Sequence, residues 1–249
     1  MREAILIVPC YNEAARLRED DFLALARDAD LGLLFVDDGS TDDTARRIDT
    51  LIGRGDGRVE LLRLSRNAGK GEAVRQGLLR AIGAGASRVG YADADLSTPA
   101  DEIAMLAETL RAGMARVVMG SRVRLLGRQI ERNPMRHYLG RIFATCASLA
   151  LRLPVYDTQC GAKWFQVTPI LESALARPFQ SRWAFDVELI GRLLRNGSRP
   201  GYESADFVES PLRTWSDVGG SKVGPAAALE AAHVLARIAW QLRRRKARL

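Results

Sequence analysis

Short apolar runs alternate along the first half of the chain with longer stretches in which apolar residues recur every three or four positions. Ala4 to Val8, Leu31 to Val36, Val59 to Leu64, the run from Val89 to Ala92 and Ala115 to Met119 have the length and side-chain content of strands. Between them, helices are predicted from about Glu13 to Asp28, around the inward-facing Thr44, Ile48 and Leu51, from about Glu72 to Ala86, and from Pro99 to about Ala112. Ser40 or Asp42 is the expected cap of the second. Strands joined by helical crossovers predict an α/β fold with a mainly parallel central sheet flanked by helices.

The second half is less regular. A break and then a helix starting near Pro134 are predicted within Leu125 to Leu153, where Arg128, Arg132, Arg136 and Arg141 precede small and apolar residues. Asp157 to Phe165 reads as a strand-and-turn insertion, Phe185 to Ile190 opens an amphipathic helix, and Tyr202 to Pro211 forms a late strand. Pro225 restarts a helix with Leu229, Leu235, Ile238, Ala239 and Leu242 on one side, closing in Arg243-Arg244-Arg245-Lys246-Ala247-Arg248. No internal repeat divides the 249 residues, so one domain over 1–224 is expected, followed by a basic amphipathic C-terminal helix over 225–249.

Three strands in succession end in polar loops: Pro9-Cys10-Tyr11-Asn12-Glu13, Asp37-Asp38-Gly39-Ser40 and Ser65-Arg66-Asn67-Ala68-Gly69-Lys70-Gly71. In an open parallel sheet ligands collect at the carboxyl ends of the strands. A fourth run ends in Asp93-Ala94-Asp95. On a strand, residues i and i+2 face the same way, and two like charges so placed call for a cation, a divalent metal being the natural candidate. Standing by itself, a D-x-D is more readily a helix cap beside a solvated aspartate, and Asp37-Asp38 an ordinary strand-to-helix turn. The loop at Gly69 lacks both G-x-x-x-x-G-K-[ST] and G-x-G-x-x-G, which excludes a P-loop and a dinucleotide fingerprint. It leaves Lys70 as an anion-facing cation.

Charge sharpens the partner. Lys and Arg outnumber Asp and Glu by 37 to 30, a formal +7 that favours phosphates or an acidic membrane surface. Nucleic acid is disfavoured because the strand-end loops carry acids at 37, 38, 93 and 95. Cys10, Cys146 and Cys160 form neither a disulfide framework nor a zinc signature and point to a reducing cytoplasm. No run reaches the ~18 apolar residues of a membrane span, so a soluble or peripheral protein is expected.

Taken together and in order, these four loops resemble the motifs of the family 2 glycosyltransferases with the GT-A fold. The likeness continues through Gly120-Ser121-Arg122, Asp157-Thr158-Gln159-Cys160-Gly161, Arg182-Trp183-Ala184-Phe185-Asp186-Val187-Glu188 and Gly220-Ser221-Lys222, and these blocks are most similar to those of dolichyl-phosphate β-glucosyltransferases and other polyprenyl-phosphate glycosyltransferases. The resemblance implies a hexose, most often glucose from UDP-glucose, passed with inversion to a polyprenyl phosphate at the cytoplasmic side of a membrane. It places Mg²⁺ or Mn²⁺ on Asp93 and Asp95, and the nucleotide sugar on Pro9, Tyr11, Glu13, Asp37, Asp38, Lys70 and the D-x-D with Ala94. It places the acceptor on Arg122, Arg136 and Gln159, Asp157 in an acceptor-side motif, Asp186 near the sugar and Lys222 over the phosphates. Ser97 stands where mannosyl-transferring relatives show glutamine.

A phosphate nucleophile is already ionised and needs no strong base, whereas a hydroxyl acceptor would need Asp157 or Asp186 as one. Asp186 also has a purely architectural reading, as the residue orienting a helix N-terminus beside Phe185. Two further functions stand beside the lipid reading: transfer to a soluble hydroxyl, and non-catalytic binding of a nucleotide sugar.

Overall fold

The computed structural model describes residues 2–27, 31–131, 134–182, 184–195, 201–217, 233 and 235–240, with side chains 134–137 and 139 left aside. Trp183, the Gly220-Ser221-Lys222 block and the basic tail lie outside the described residues, as does the side chain of Arg136.

Four parallel strands build one half of the central sheet: β1 (Ala4–Cys10), β2 (Leu31–Asp37), β3 (Val59–Arg63) and β4 (Arg88–Tyr91). β5 (Val117–Ser121), β7 (Lys163–Gln166) and β8 (Phe207–Pro211) complete it in the order β3-β2-β1-β4-β7-β5-β8. β7 pairs antiparallel with both β4 and β5, and every other pairing in this sheet is parallel. The Asp157 to Phe165 stretch therefore leads into the central sheet as β7, wedged between two strands that run parallel to each other. A small ribbon of β6 (Gln129–Glu131) and β9 (Thr214–Ser216), unforeseen from the sequence because three-residue strands carry no periodicity, lies beside it.

The period-2 alternation of a strand places successive side chains on opposite faces. Leu6 and Val8 with Leu33 and Phe35 face one core, closed by helices α1 (Glu19–Ala26), α2 (Thr44–Arg54) and α4 (Ala100–Arg111) through Phe22, Ile48 and Ile103. Ile7, Leu34 and Val36 face the other, closed by α3 (Lys70–Gly83), α5 (Pro134–Leu151), α6 (Pro169–Leu175) and α7 (Phe185–Arg195). Both faces are covered, as a parallel sheet requires. A helical stretch at 235–240 buries Leu235 and Ile238 against α7, where Ile238 abuts Gly191.

Several boundaries move. The first helix starts at Glu19; ahead of it, Asn12, Glu13 and Ala14 donate their backbone N–H groups to the side chains of Ser40, Thr44 and Asp42. α2 begins at Thr44 with neither Ser40 nor Asp42 at its cap position, although Asp42 accepts from the Thr44 N–H at 3.0 Å. Among the described residues no helix is long and apolar enough to cross a membrane.

Candidate active site

The carboxyl ends of β1, β2, β4 and β5 share one edge with the loop after β3, and most of the predicted site residues among the described ones gather there. Cys10 closes β1 and its carbonyl accepts from the Asp38 N–H at 2.8 Å, so the first two loops are locked side by side. Pro9, Tyr11 and Glu13 line this junction half-buried. Asp37 and Asp38 are buried and bound within the protein. Asp37 accepts from the Ser40 N–H at 2.9 Å, and Asp38 accepts from the N–H groups of Ala68 and Gly69 at 2.7 and 2.8 Å. Asp38 thereby holds the third loop at the start of α3. Gly69 there has φ +97°, and a Cβ on it would strike the Arg182 side chain, whose guanidinium donates to Asn67 Oδ1 at 2.5 Å.

The D-x-D sits differently from its sequence-based placement. β4 ends at Tyr91, and Asp93 and Asp95 lie in the turn beyond it, with Leu96 at φ +49°. The two carboxylates face the site edge through turn geometry instead of strand alternation. Asp93 is paired through Oδ1 with Lys70, the first residue of α3. Asp95 accepts through Oδ1 from the N–H and hydroxyl of Ser97 at 3.0 and 2.6 Å. Burial alone would raise the Asp93 pKa; the charge and hydrogen bond of Lys70, with Lys163 and Arg122 behind it, outweigh burial and hold it below the ordinary carboxylate value. Lys70 is shifted up in turn, the attraction of Asp93, Asp186 and Asp95 overcoming its own desolvation. Ala94 is buried beneath the turn.

On the other side, Arg122 follows β5 and meets Asp157 in a two-pronged pair, Nε to Oδ2 at 2.6 Å and Nη2 to Oδ1 at 2.8 Å. The Trp215 ring lies 5.3 Å from the guanidinium carbon. Asp157 also accepts from the N–H groups of Arg122 and Gln159, both at 3.1 Å. Glu209 of β8 anchors this loop, accepting from the Tyr156 and Asp157 N–H groups at 2.7 and 2.5 Å. Although burial opposes it, the Arg122 charge and hydrogen bonds push Asp157 well below the carboxylate range. A narrow cleft runs from Arg122, Asp157 and Gln159 to Arg141, Phe143 and Ala144 of α5. Arg136 falls on α5 as well.

Between the two sides lies Asp186, the second residue of α7. Its Oδ1 accepts from Lys163 Nζ at 2.5 Å and from the Tyr91 hydroxyl. The architectural reading of Asp186 as a helix-terminal carboxylate is thus incomplete, since it is tied across the core to two other strands. Neither Asp186 nor Asp157 is a free base. Burial pushes the thiols of Cys10 and Cys160 up, so neither offers a thiolate.

With this arrangement in hand, the comparisons are direct. Residues 5–174 match the family described as Glycosyl transferase family 2. The chain belongs to that family. A dolichyl-phosphate β-glucosyltransferase of Drosophila melanogaster is 33% identical over 242 residues, covering 90% of this chain and 70% of that protein. Another, from Trichomonas vaginalis, is 31% identical over 251 residues, covering 95% of this chain and 71% of that protein. Glucosyl-3-phosphoglycerate synthase from Mycobacterium tuberculosis, solved with Mn²⁺, UDP and glucosyl-3-phosphoglycerate, superposes with TM-score 0.64 at 20% identity over 96% of this chain and 80% of that one. That likeness establishes the common GT-A fold.

As a family 2 glycosyltransferase site, the donor set fits a hard divalent cation. Asp93 and Asp95 supply hard carboxylate oxygens of the kind a divalent cation takes, with Oδ1 of Asp93 engaged by Lys70 and Oδ1 of Asp95 by Ser97. No group of three or more His, Cys, Asp or Glu suited to a metal occurs among the described residues, so the diphosphate and water would complete the shell. Sequence reading missed Lys163, Tyr91, Glu209 and Trp215. One signal was present: Lys163 is a lone charge in the apolar run Ala162-Lys163-Trp164-Phe165, which in a buried strand demands a carboxylate partner.

Proposed function

We propose that this family 2 glycosyltransferase transfers glucose from UDP-glucose to a polyprenyl phosphate with inversion, using Mg²⁺ or Mn²⁺ held by Asp93 and Asp95. The observation that carries the reading is the state of the two candidate bases. Asp157 is bound to Arg122 and Asp186 to Lys163, which leaves neither suited to deprotonate a hydroxyl, while a phosphate acceptor is ionised beforehand. The names of the curated relatives point to the same acceptor class.

In this reading Pro9, Tyr11, Glu13, Asp37 and Asp38 surround the nucleoside, and Lys70 with the α3 N-terminus faces the diphosphate. An acceptor phosphate oxygen, oriented by Arg122 with Arg136 and Gln159 nearby, attacks the anomeric carbon. The bond from that carbon to the β-phosphate oxygen breaks, and UDP departs with the electron pair. The cation, when bound, neutralises the charge that develops on the diphosphate. Lys222 would add a further positive charge there. Asp186 faces the sugar. The α-linked donor yields a β-linked product.

Residues 1–224 would form the catalytic domain, and 225–249 a basic helix lying on an anionic bilayer at its cytoplasmic face. Support for a membrane-facing side comes from α5, where Tyr138, Ile142 and Leu149 are exposed at helical spacing, and from the exposed Leu125 and Leu126 in the loop between β5 and β6. The cleft leading from Arg122 opens against this same helix.

Radiolabelled UDP-glucose with Mg²⁺, membrane lipid and butanol extraction tests the function. Label in the organic phase supports lipid transfer, label in a water-soluble product replaces it with the soluble-acceptor reading, and absence of turnover leaves a binder. GDP-mannose run in parallel checks the donor.

A further inference from the structure

Among the described residues β7 is the one strand of the central sheet that runs against its neighbours, and it lies between β4, which leads to the D-x-D turn, and β5, which leads to Arg122. Parallel strands deliver their last residues to the site edge, whereas an antiparallel strand delivers its first. Lys163, the first residue of β7, therefore arrives between the donor-side and acceptor-side carboxylates. It is 1% exposed. Its Nζ lies 2.5 Å from Asp186 Oδ1 and 2.5 Å from the Cys160 carbonyl oxygen, and 5.3 Å from the centroid of the Tyr91 ring, whose hydroxyl donates to the same carboxylate oxygen.

A buried ion pair contributes little net stability, because two desolvation penalties offset the attraction, and an apolar pair of similar volume often does as well. What such a pair does supply is a fixed orientation. Lys163 and Tyr91 converge on one oxygen of Asp186, which pins the carboxylate's rotation about its side chain.

We propose that Lys163 is a positioning residue for glycosyl transfer, holding the Asp186 carboxylate in one orientation between the two halves of the site. The proposal rests on the assignment above of Asp186 to the sugar side. It goes beyond that assignment by making a residue of the inserted strand, in no motif of the donor or acceptor loops, a determinant of turnover.

Steady-state kinetics with UDP-glucose and polyprenyl phosphate, measured for Lys163→Met, Lys163→Arg, Asp186→Asn and the Lys163→Met/Asp186→Asn double variant, test it alongside thermal unfolding and UDP binding by calorimetry. Lys163→Met is expected to lower kcat about 100-fold, with both KM values and UDP affinity within about threefold of the parent. Lys163→Arg is expected to recover at least tenfold of that loss. Added to Asp186→Asn, Lys163→Met should cost less than about threefold more, since the residue it acts through is already changed. A folded Lys163→Met enzyme with kcat within threefold of the parent overturns the proposal, as does additivity with Asp186→Asn or an arginine variant no better than the methionine one. If Lys163→Met does not fold, the double variant compared with Asp186→Asn decides, a further loss above tenfold counting against it. Full kcat in Asp186→Asn sinks the assignment of Asp186 itself, whereas impaired Asp186→Asn beside unimpaired Lys163→Met sinks only the proposal for Lys163.

Discussion

Arg122 and Asp157 meet edge to edge, with Nε 2.6 Å from Oδ2 and Nη2 2.8 Å from Oδ1, and both side chains are nearly withdrawn from solvent. This planar pairing is the strongest geometry available to a guanidinium and a carboxylate. It orients one arginine edge within the protein and keeps the charge that an acceptor phosphate would meet. Removing one partner leaves the other buried without compensation. Asp157→Asn is expected to destabilise the fold by about 3 kcal/mol, read as a lower urea midpoint with unchanged slope; an unchanged midpoint would refute the pairing.

The same pair sets an acid limit. The folded Asp157 pKa lies below its unfolded value of about 3.9, so its stabilisation is fully present above that value and is lost as pH falls through the folded pKa. No change from this group is expected between pH 5 and 8. Urea unfolding followed from pH 7 down to about pH 2.5 should show stability falling below pH 4 in the parent and a shallower fall in Asp157→Asn.

Asp93→Asn and Asp95→Asn are each expected to reduce transfer about 100-fold or more by removing an anionic oxygen donor from the cation, with UDP-glucose turnover as the measurement. Excess chelator should abolish parental activity, and Mg²⁺ or Mn²⁺ should restore it. Undiminished turnover in chelator would remove the metal from the mechanism.

Gly161 lies against the Asp93 carboxylate so closely that a Cβ there would collide with it. Gly161→Ala should displace that carboxylate from the D-x-D turn while the sheet stays intact. We expect a KM for UDP-glucose about tenfold higher with a melting temperature near the parent's; equal KM values would show that the turn absorbs the extra methyl.

For the membrane-facing side, Ile142→Asp/Leu149→Asp is expected to weaken sedimentation with anionic vesicles about tenfold, since two exposed apolar contacts are replaced by like-charged carboxylates. Deleting 225–249 should weaken it too, and undiminished binding after deletion would assign the interaction to α5 without the tail.

The chain's hydrophobic pattern was sufficient for β1 to β5 and their crossovers, and the strand-end loops, read together, were sufficient for the family. These features are local: a strand's alternation, a helix's stripe and a motif's spacing are written within about a dozen residues. The tertiary structure decided the rest because the deciding contacts are distant in sequence. Lys163 reaches Asp186 from 23 residues away, Arg122 reaches Asp157 from 35, and Glu209 clamps the 156–157 backbone from 53 and 52. The sequence named Asp157 and Asp186 as candidate bases; only the fold placed a cation against each. The pull of the antiparallel β7 into the sheet was likewise out of reach, because four residues of strand carry no sign of their direction or neighbours. Sequence alone determined which chemical groups are present at the site's edge, and packing determined which of them are already spoken for.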